Sequence, residues 1–287
     1  ARFLEHNNKG VVVNVYWRAV RNCPWVGQLW SRLMRAEERG GGGDGSSSLA
    51  SSLPPSSQLP VEEEKEVYYK KMYEKALTCS IQGISLYGEG SEGCIDVVIA
   101  CLEFIRRGGG MWGGGGLPVE GEMRKCACEA AQLLSQHCPE ACDCNGRIAS
   151  MLTAVENMEN SKGKGGKWNG GPLSPEALEV REELLKTAVA KQGATWLAFI
   201  NQDKRNAAAA AAGGGGGGSG GETSSSSSLA AVRALFERAV NRLRSGGGYG
   251  LKQVCRSWLQ FEQEYGSADD HFTACLKVDP ILVEIAA

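Results

Sequence analysis

Residues 16–39 read YWRAVRNCPWVGQLWSRLMRAEER. Tyr16 and Val20 are four apart and Ala19 lies three from Tyr16, so all three share one face of a helix, with Arg18 turned away from it. Ala19 in that stripe lets a neighbouring helix approach closely. Pro24 ends the helix, because it has no N–H to donate and its ring clashes with the preceding turn. A second helix follows at once: Trp30, Leu33 and Glu37, at i, i+3 and i+7, put a tryptophan-led apolar stripe on one side. The two helices form a hairpin whose apolar faces need each other.

Both halves of the hairpin recur. The first pattern, aromatic-x-basic-Ala-aliphatic, returns as Tyr73-Glu74-Lys75-Ala76-Leu77 and Phe236-Glu237-Arg238-Ala239-Val240. The second returns as Trp196-x-x-Phe199 with Asp203 and as Trp258-x-x-Phe261-Glu262 with Tyr265. We denote the tryptophan helices A and the others B. Ala19 and Ala76 are 57 residues apart, 36 without the low-complexity tract 40–60, and Trp196 and Trp258 are 62 apart, 39 without the tract 206–228. Both spacings approach the roughly 34-residue period of paired-helix repeats. Weaker copies are expected at Ile95–Arg107 (A) and Glu122–Leu134 (B), then Asn145–Met158 and Pro175–Lys191. The expected fold is an all-α solenoid of antiparallel helix pairs over residues 11–278, about ten helices, with insertions at 40–60, 108–117 and 206–228.

Composition agrees with such an array. The 287 residues include 39 glycines, about twice average usage and without a Gly-X-Y period, which excludes collagen. Most of the excess lies in the three tracts, which are expected to be disordered except where Ala207–Ala212 extends the preceding helix. A net charge of −2 gives no overall field for a polyanion. No apolar run approaches the roughly 20 residues of a membrane span. The chain opens on Ala1 with a helix signal under way by Val11, so a longer parent protein is expected.

The reactive side chains form no catalytic pattern. There are 11 cysteines, at positions 23, 79, 94, 101, 126, 128, 138, 142, 144, 255 and 275. The odd count without a leader argues for reduced thiols. Five crowd residues 126–144 beside His137, yet Cys126-x-Cys128 and Cys142-x-Cys144 depart from zinc-knuckle spacing, and two residues two apart on a helix cannot face one ion. Helix-packing thiols, with no metal, are therefore expected. His6, His137 and His271 are dispersed, and Gly163-Lys164-Gly165-Gly166-Lys167 lacks the Ser/Thr and the strand of a phosphate loop. Glu37, Asp203 and Glu262 recur one per repeat and read as capping or inter-helix groups. Arg18, Arg21, Arg32, Arg35 and Arg39 are the densest basic group, diluted by Glu37 and Glu38 to a solvated face. Trp30, Trp196 and Trp258 read as helix-pair core in preference to base-stacking platforms.

On these residues the chain resembles the half-a-TPR, or HAT, repeat family of RNA-processing scaffolds. Arg18–Arg39 carries most of the likeness, above all Arg21-Asn22-Cys23-Pro24-Trp25 and Leu29-Trp30-Ser31-Arg32, supported by Trp196-Leu197-Ala198-Phe199 and by Arg233 to Gly266. The resemblance implies a right-handed superhelical solenoid that is not an enzyme and needs no cofactor. It also implies a nuclear place in pre-mRNA splicing, in assembly or recycling of the U4/U6 small nuclear ribonucleoprotein. The implied partners are other proteins of RNA-processing complexes, with self-association through the array, RNA reached only indirectly, and no membrane. Members of this kind continue into RNA-recognition motifs, whose signature string does not occur here. Two alternatives stay open: a HAT scaffold of 3′-end processing or the splicing core, and a TPR-type cochaperone that grips peptide tails.

Overall fold

The computed structural model describes residues 9–40, 61–87, 90–108, 118–139, 142–161, 173–213 and 222–286. The fold is all-helical, with eleven α-helices, one 3-10 turn and no strand among the described residues. The chain divides into two compact units, residues 1–141 and 142–287.

The first unit holds α1 (Lys9–Asn22), α2 (Gly27–Gly40), α3 (Val61–Tyr87), α4 (Glu92–Arg106) and α5 (Val119–His137). Each helix packs on the next, and α2 also meets α4 and α3 meets α5. At the proline turn the Cys23 N–H donates to the Ala19 carbonyl at 2.9 Å and the Val26 N–H to the Cys23 carbonyl at 3.2 Å. α4 explains why this unit has one core: Ile95, Val98, Leu102 and Ile105 are buried together with Val97, Cys101 and Phe104, so the helix is apolar nearly all round. Such a helix must be surrounded, and α4 packs against α2, α3 and α5. On α5 the buried positions include Cys126, Ala127, Ala130 and Ala131, small side chains that admit a close neighbour.

The second unit holds α6 (Arg147–Ser161), α7 (Pro175–Lys186), a 3-10 turn (Ala188–Lys191), α8 (Gly193–Gly213), α9 (Glu222–Ser245), α10 (Leu251–Tyr265) and α11 (Ala268–Ala286). α8 packs against α6, α9 and α10, and α10 also packs on α9 and α11. α7 begins on the Ser174 hydroxyl, which accepts from the Ala177 N–H at 3.2 Å, with Pro175 in the first turn.

Two glycine contacts recur in the two units. A Cβ on Gly27, the first residue of α2, would lie 2.1 Å from the carbonyl oxygen of Gly93 in α4. A Cβ on Gly193, the first residue of α8, would lie 2.8 Å from the carbonyl oxygen of Gly250, just before α10. In each case the start of one A helix meets the start of the next, backbone on backbone. In the second unit the contact is tied further, since the Tyr249 N–H donates to the Lys191 carbonyl and the Gly193 N–H to the Tyr249 carbonyl, both at 2.7 Å.

The structure departs from the sequence expectations in several places. Pro175–Lys191 is not one helix: it breaks at Thr187, which is extended (ψ 178°) and whose hydroxyl donates to the Leu184 carbonyl at 2.7 Å. In the tract 206–228, α8 continues through Ala207–Ala212 to Gly213 as expected, but α9 already begins at Glu222, inside the tract. The serines 224–228 therefore lie in a helix; serine costs little once a packed helix downstream has nucleated. Helices at 92–106, 119–137 and 147–161 replace the shorter or shifted ones expected there. Residues 41–60, 109–117 and 214–221 of the tracts, the glycine-lysine segment 163–167 and His6 lie outside the described residues.

The glycine contact yields a test. Gly27→Ala should destabilise the protein by about 1–3 kcal/mol, the usual cost of overpacking, because the obstacle is backbone that cannot rotate away. Gly10→Ala on α1, where nothing lies within 4 Å, should be neutral or slightly stabilising. Urea denaturation midpoints of the two variants check this.

Candidate functional site

The positions singled out in the sequence are mostly interior. Tyr16, Trp30, Leu33, Tyr73, Ala76, Trp196, Phe199, Phe236, Ala239, Trp258 and Phe261 are buried, and Ala19 is half-buried. Buried tryptophan still carries a polar N–H that needs an acceptor. Trp30 stands three residues after the start of α2, and its Nε1–H donates to the Pro24 carbonyl at 2.7 Å. Trp196 stands three residues after the start of α8 and donates to the Ala190 carbonyl at 2.8 Å. Both acceptors lie six residues earlier, in the turn that delivers the A helix. Trp17 of α1 meets Trp30 edge-on, with centroids 6.3 Å apart.

Trp258 does not occupy that slot. It stands seven residues after the start of α10, lies parallel to the Phe236 ring at 5.9 Å, and donates to Glu262 Oε1 at 3.1 Å. The carboxylates restore the register. Glu37 and Asp203 each follow their tryptophan by seven residues, and the residue seven before Glu262 is Cys255. Cys255 is buried in the tryptophan slot, Trp258 takes the place of Leu33 and Phe199, and Phe261 that of Ala36 and Gln202. Aligning the three tryptophans by residue type alone puts α10 out of step by three.

The recurring carboxylates are inter-helix ties. Asp203 receives three hydrogen bonds of 3.0 Å from Arg181 of α7, and that guanidinium also covers the Phe199 ring at 5.0 Å. Glu262, 2% exposed, receives Arg233 of α9 at 3.0 Å. The same guanidinium reaches Asp270 at 3.0 Å, and its hydrogen bonds to the Glu262 carboxylate raise the Arg233 pKa. Ser267, through its backbone N–H and its hydroxyl, holds the Asp270 carboxyl below its ordinary range. Glu37 is held instead by Trp17 Nε1–H at 2.8 Å and the Tyr68 hydroxyl at 3.3 Å. Burial, reinforced by Glu37, pushes the Tyr68 phenol up. Arg181 and Arg233 were not singled out in the sequence, although each stands three residues before a buried B-helix position, Leu184 or Phe236. Surface pairs lace further helices: Arg35 and Glu103 join α2 to α4 at 3.0 Å, Arg238 and Glu182 join α9 to α7, and Lys277 and Glu237 join α11 to α9.

The cysteines divide by environment. Cys101 and Cys126 are buried with their sulfurs 3.5 Å apart, and Cys126 lies 3.7 Å from the Tyr73 hydroxyl. Burial raises the Cys101 thiol and the Tyr73 phenol, and it pushes the Cys255 thiol up to about 11. In the segment read for zinc, the functional side chain is Asp143. Its carboxylate accepts from the Arg147 and Ile148 N–H groups at 2.8 and 3.0 Å, capping α6 from a positive φ of 51°. The Asp-x-Asn-Gly sequence before that helix is a turn-and-cap signal that could have found it. No group of three or more His, Cys, Asp or Glu suited to a metal occurs among the described residues.

Several buried polar atoms among the described residues lack a hydrogen-bond partner, among them the Thr195 hydroxyl and the Gln202 amide nitrogen. Gln202 is 2% exposed, and its Nε2 has no hydrogen-bond partner. It borders a small, partly open cleft between α6, α7 and α8, lined also by Leu152, Glu156, Val180, Arg181 and Phe199. No protein-family model matches the chain, and no curated protein matches it.

Two outcomes follow. Asp203→Ala leaves Arg181, 7% exposed, without its carboxylate and should cost about 3 kcal/mol, whereas the double replacement Arg181→Met with Asp203→Leu should cost much less. A double-mutant cycle by chemical denaturation checks the coupling. Gln202→Leu removes an orphan donor and should stabilise by about 1 kcal/mol, read as a rise in the melting temperature.

Proposed function

We propose that the chain is a HAT-repeat array, wound as a right-handed superhelical solenoid, that works as a non-enzymatic protein scaffold in nuclear RNA processing. Within that class the reading is pre-mRNA splicing, in assembly or recycling of the U4/U6 small nuclear ribonucleoprotein. The observation that carries it is the recurrence of one constellation at α2 and α8: a buried tryptophan bonded to the carbonyl six residues earlier, and a carboxylate seven residues later tied to a neighbouring helix. Repetition of a packing unit, with contacts between neighbouring helices, supports an array that presents an extended surface. Glu37, Asp203 and Glu262, the recurring carboxylates, are each taken up by donors of the fold, which supports a binding role over acid–base chemistry.

The test is affinity purification of the tagged full-length protein from nuclear extract, with probing for U4 and U6 RNAs and their proteins. Co-purification of U4/U6 particles that sediment with the protein is the expected result. Recovery with 3′-end cleavage factors or with chaperones, and without U6, would overturn the splicing assignment.

A further inference from the structure

We infer that the outer face of α11 docks an amphipathic partner helix whose apolar stripe is interrupted by an arginine. The inference rests on the scaffold reading and gives its partner a chemistry. α11 packs on α10, and its buried positions include Ala274, Val278 and Ile281. The opposite face is equally apolar and open: Phe272 and Leu276 are each 63% exposed and Val283 is 69% exposed. With Asp279 these residues run i, i+4, i+7 and i+11, the ridge that a second helix receives in its groove. Isolated exposed apolar residues need no explanation, but Phe272 and Leu276 stand one turn apart and Val283 follows on the same face beyond Asp279.

The charges select the partner. Lys277 pairs with Glu237 and Glu284 with Arg244, both on α9, and Asp270 pairs with Arg233. Asp269 and Asp279 make no ion pair among the described residues, so the charges left to the outer face are acidic. Asp279 lies within the apolar ridge itself. Pro280 follows it inside the helix and has no N–H for the carbonyl of Leu276. A carboxylate and a main-chain carbonyl without its helical donor thus stand three residues apart on one exposed ridge. Both are acceptors, and a planar guanidinium with five N–H donors matches such a pair better than an ammonium does. A second copy of α11 is disfavoured as the occupant, because a symmetric contact would bring two Asp279 carboxylates together.

The test uses the full chain and two fluorescein-labelled 18-residue amphipathic peptides of leucine, alanine and glutamine. They are identical except that one residue within the leucine stripe is arginine in one and glutamate in the other. Fluorescence anisotropy should give at least tenfold tighter binding of the arginine peptide. Asp279→Arg should reverse that preference, and Phe272→Ser with Leu276→Ser should abolish binding of both; unchanged circular dichroism confirms that these exposed positions leave the fold intact. Equal affinity for the two peptides, no binding of either, or no effect of Asp279→Arg would overturn the proposal. So would concentration-dependent self-association that the Phe272/Leu276 variant removes. Failure here with U4/U6 co-purification intact overturns only the α11 partner, while peptide binding without U6 overturns only the splicing reading.

Discussion

A tryptophan can be buried at the start of a helix only if its indole N–H finds an acceptor, and in this protein the acceptor is a main-chain carbonyl six residues upstream. That distance reaches back across the turn that precedes the helix. The bonds Trp30 to Pro24 and Trp196 to Ala190 therefore do two jobs at once: they satisfy the indole and they fix the path of the chain into α2 and α8. Once the turn is set, so is the face each helix presents. The carboxylate two turns further along then falls where a neighbouring helix can supply a donor. Arg181 does so for Asp203, and Trp17 with Tyr68 does so for Glu37.

Close approach is the second requirement. Where Gly27 meets Gly93, and Gly193 meets Gly250, no side chain separates the main chains. Polar groups at such an approach need partners of their own, which the Tyr249 bonds to Lys191 and Gly193 supply. Packing of small residues on α5 and the all-round apolar character of α4 complete the first unit by the same logic. Stability in both units comes from apolar faces pressed together, with charge pairs at their borders setting register more than strength.

The all-helical fold was legible because its signals are periodic and local. The aromatic-x-basic-Ala pattern and the tryptophan-led stripe each specify one helical face, and the break at Pro24 is covalent chemistry. Register in α10 was misread: Trp258 looks like Trp30 by residue type, whereas the seven-residue spacing to the carboxylate, which Arg233 ties in as Arg181 ties Asp203, puts Cys255 in the tryptophan slot. Arg181, Arg233 and Gln202 escaped notice for a related reason. Their roles depend on partners in other helices, and a single sequence carries no signal that pairs residue 181 with residue 203. Asp143 was hidden differently, since its cysteine neighbours drew the eye to metal chemistry while its own cap signal stood beside them.

The alanine run at the end of α8 has a mechanical meaning. Because Ala207–Ala212 continues the helix to Gly213, its length acts as a screw. Each alanine added or removed advances the exit of the chain by about 1.5 Å and swings it by about 100° around the axis. A change of one residue thus turns the end of the helix, whereas a change of four nearly restores its heading and shifts it by about 6 Å along the rod. A homopolymer that reads as filler thus sets where and in which direction the rod of α8 ends.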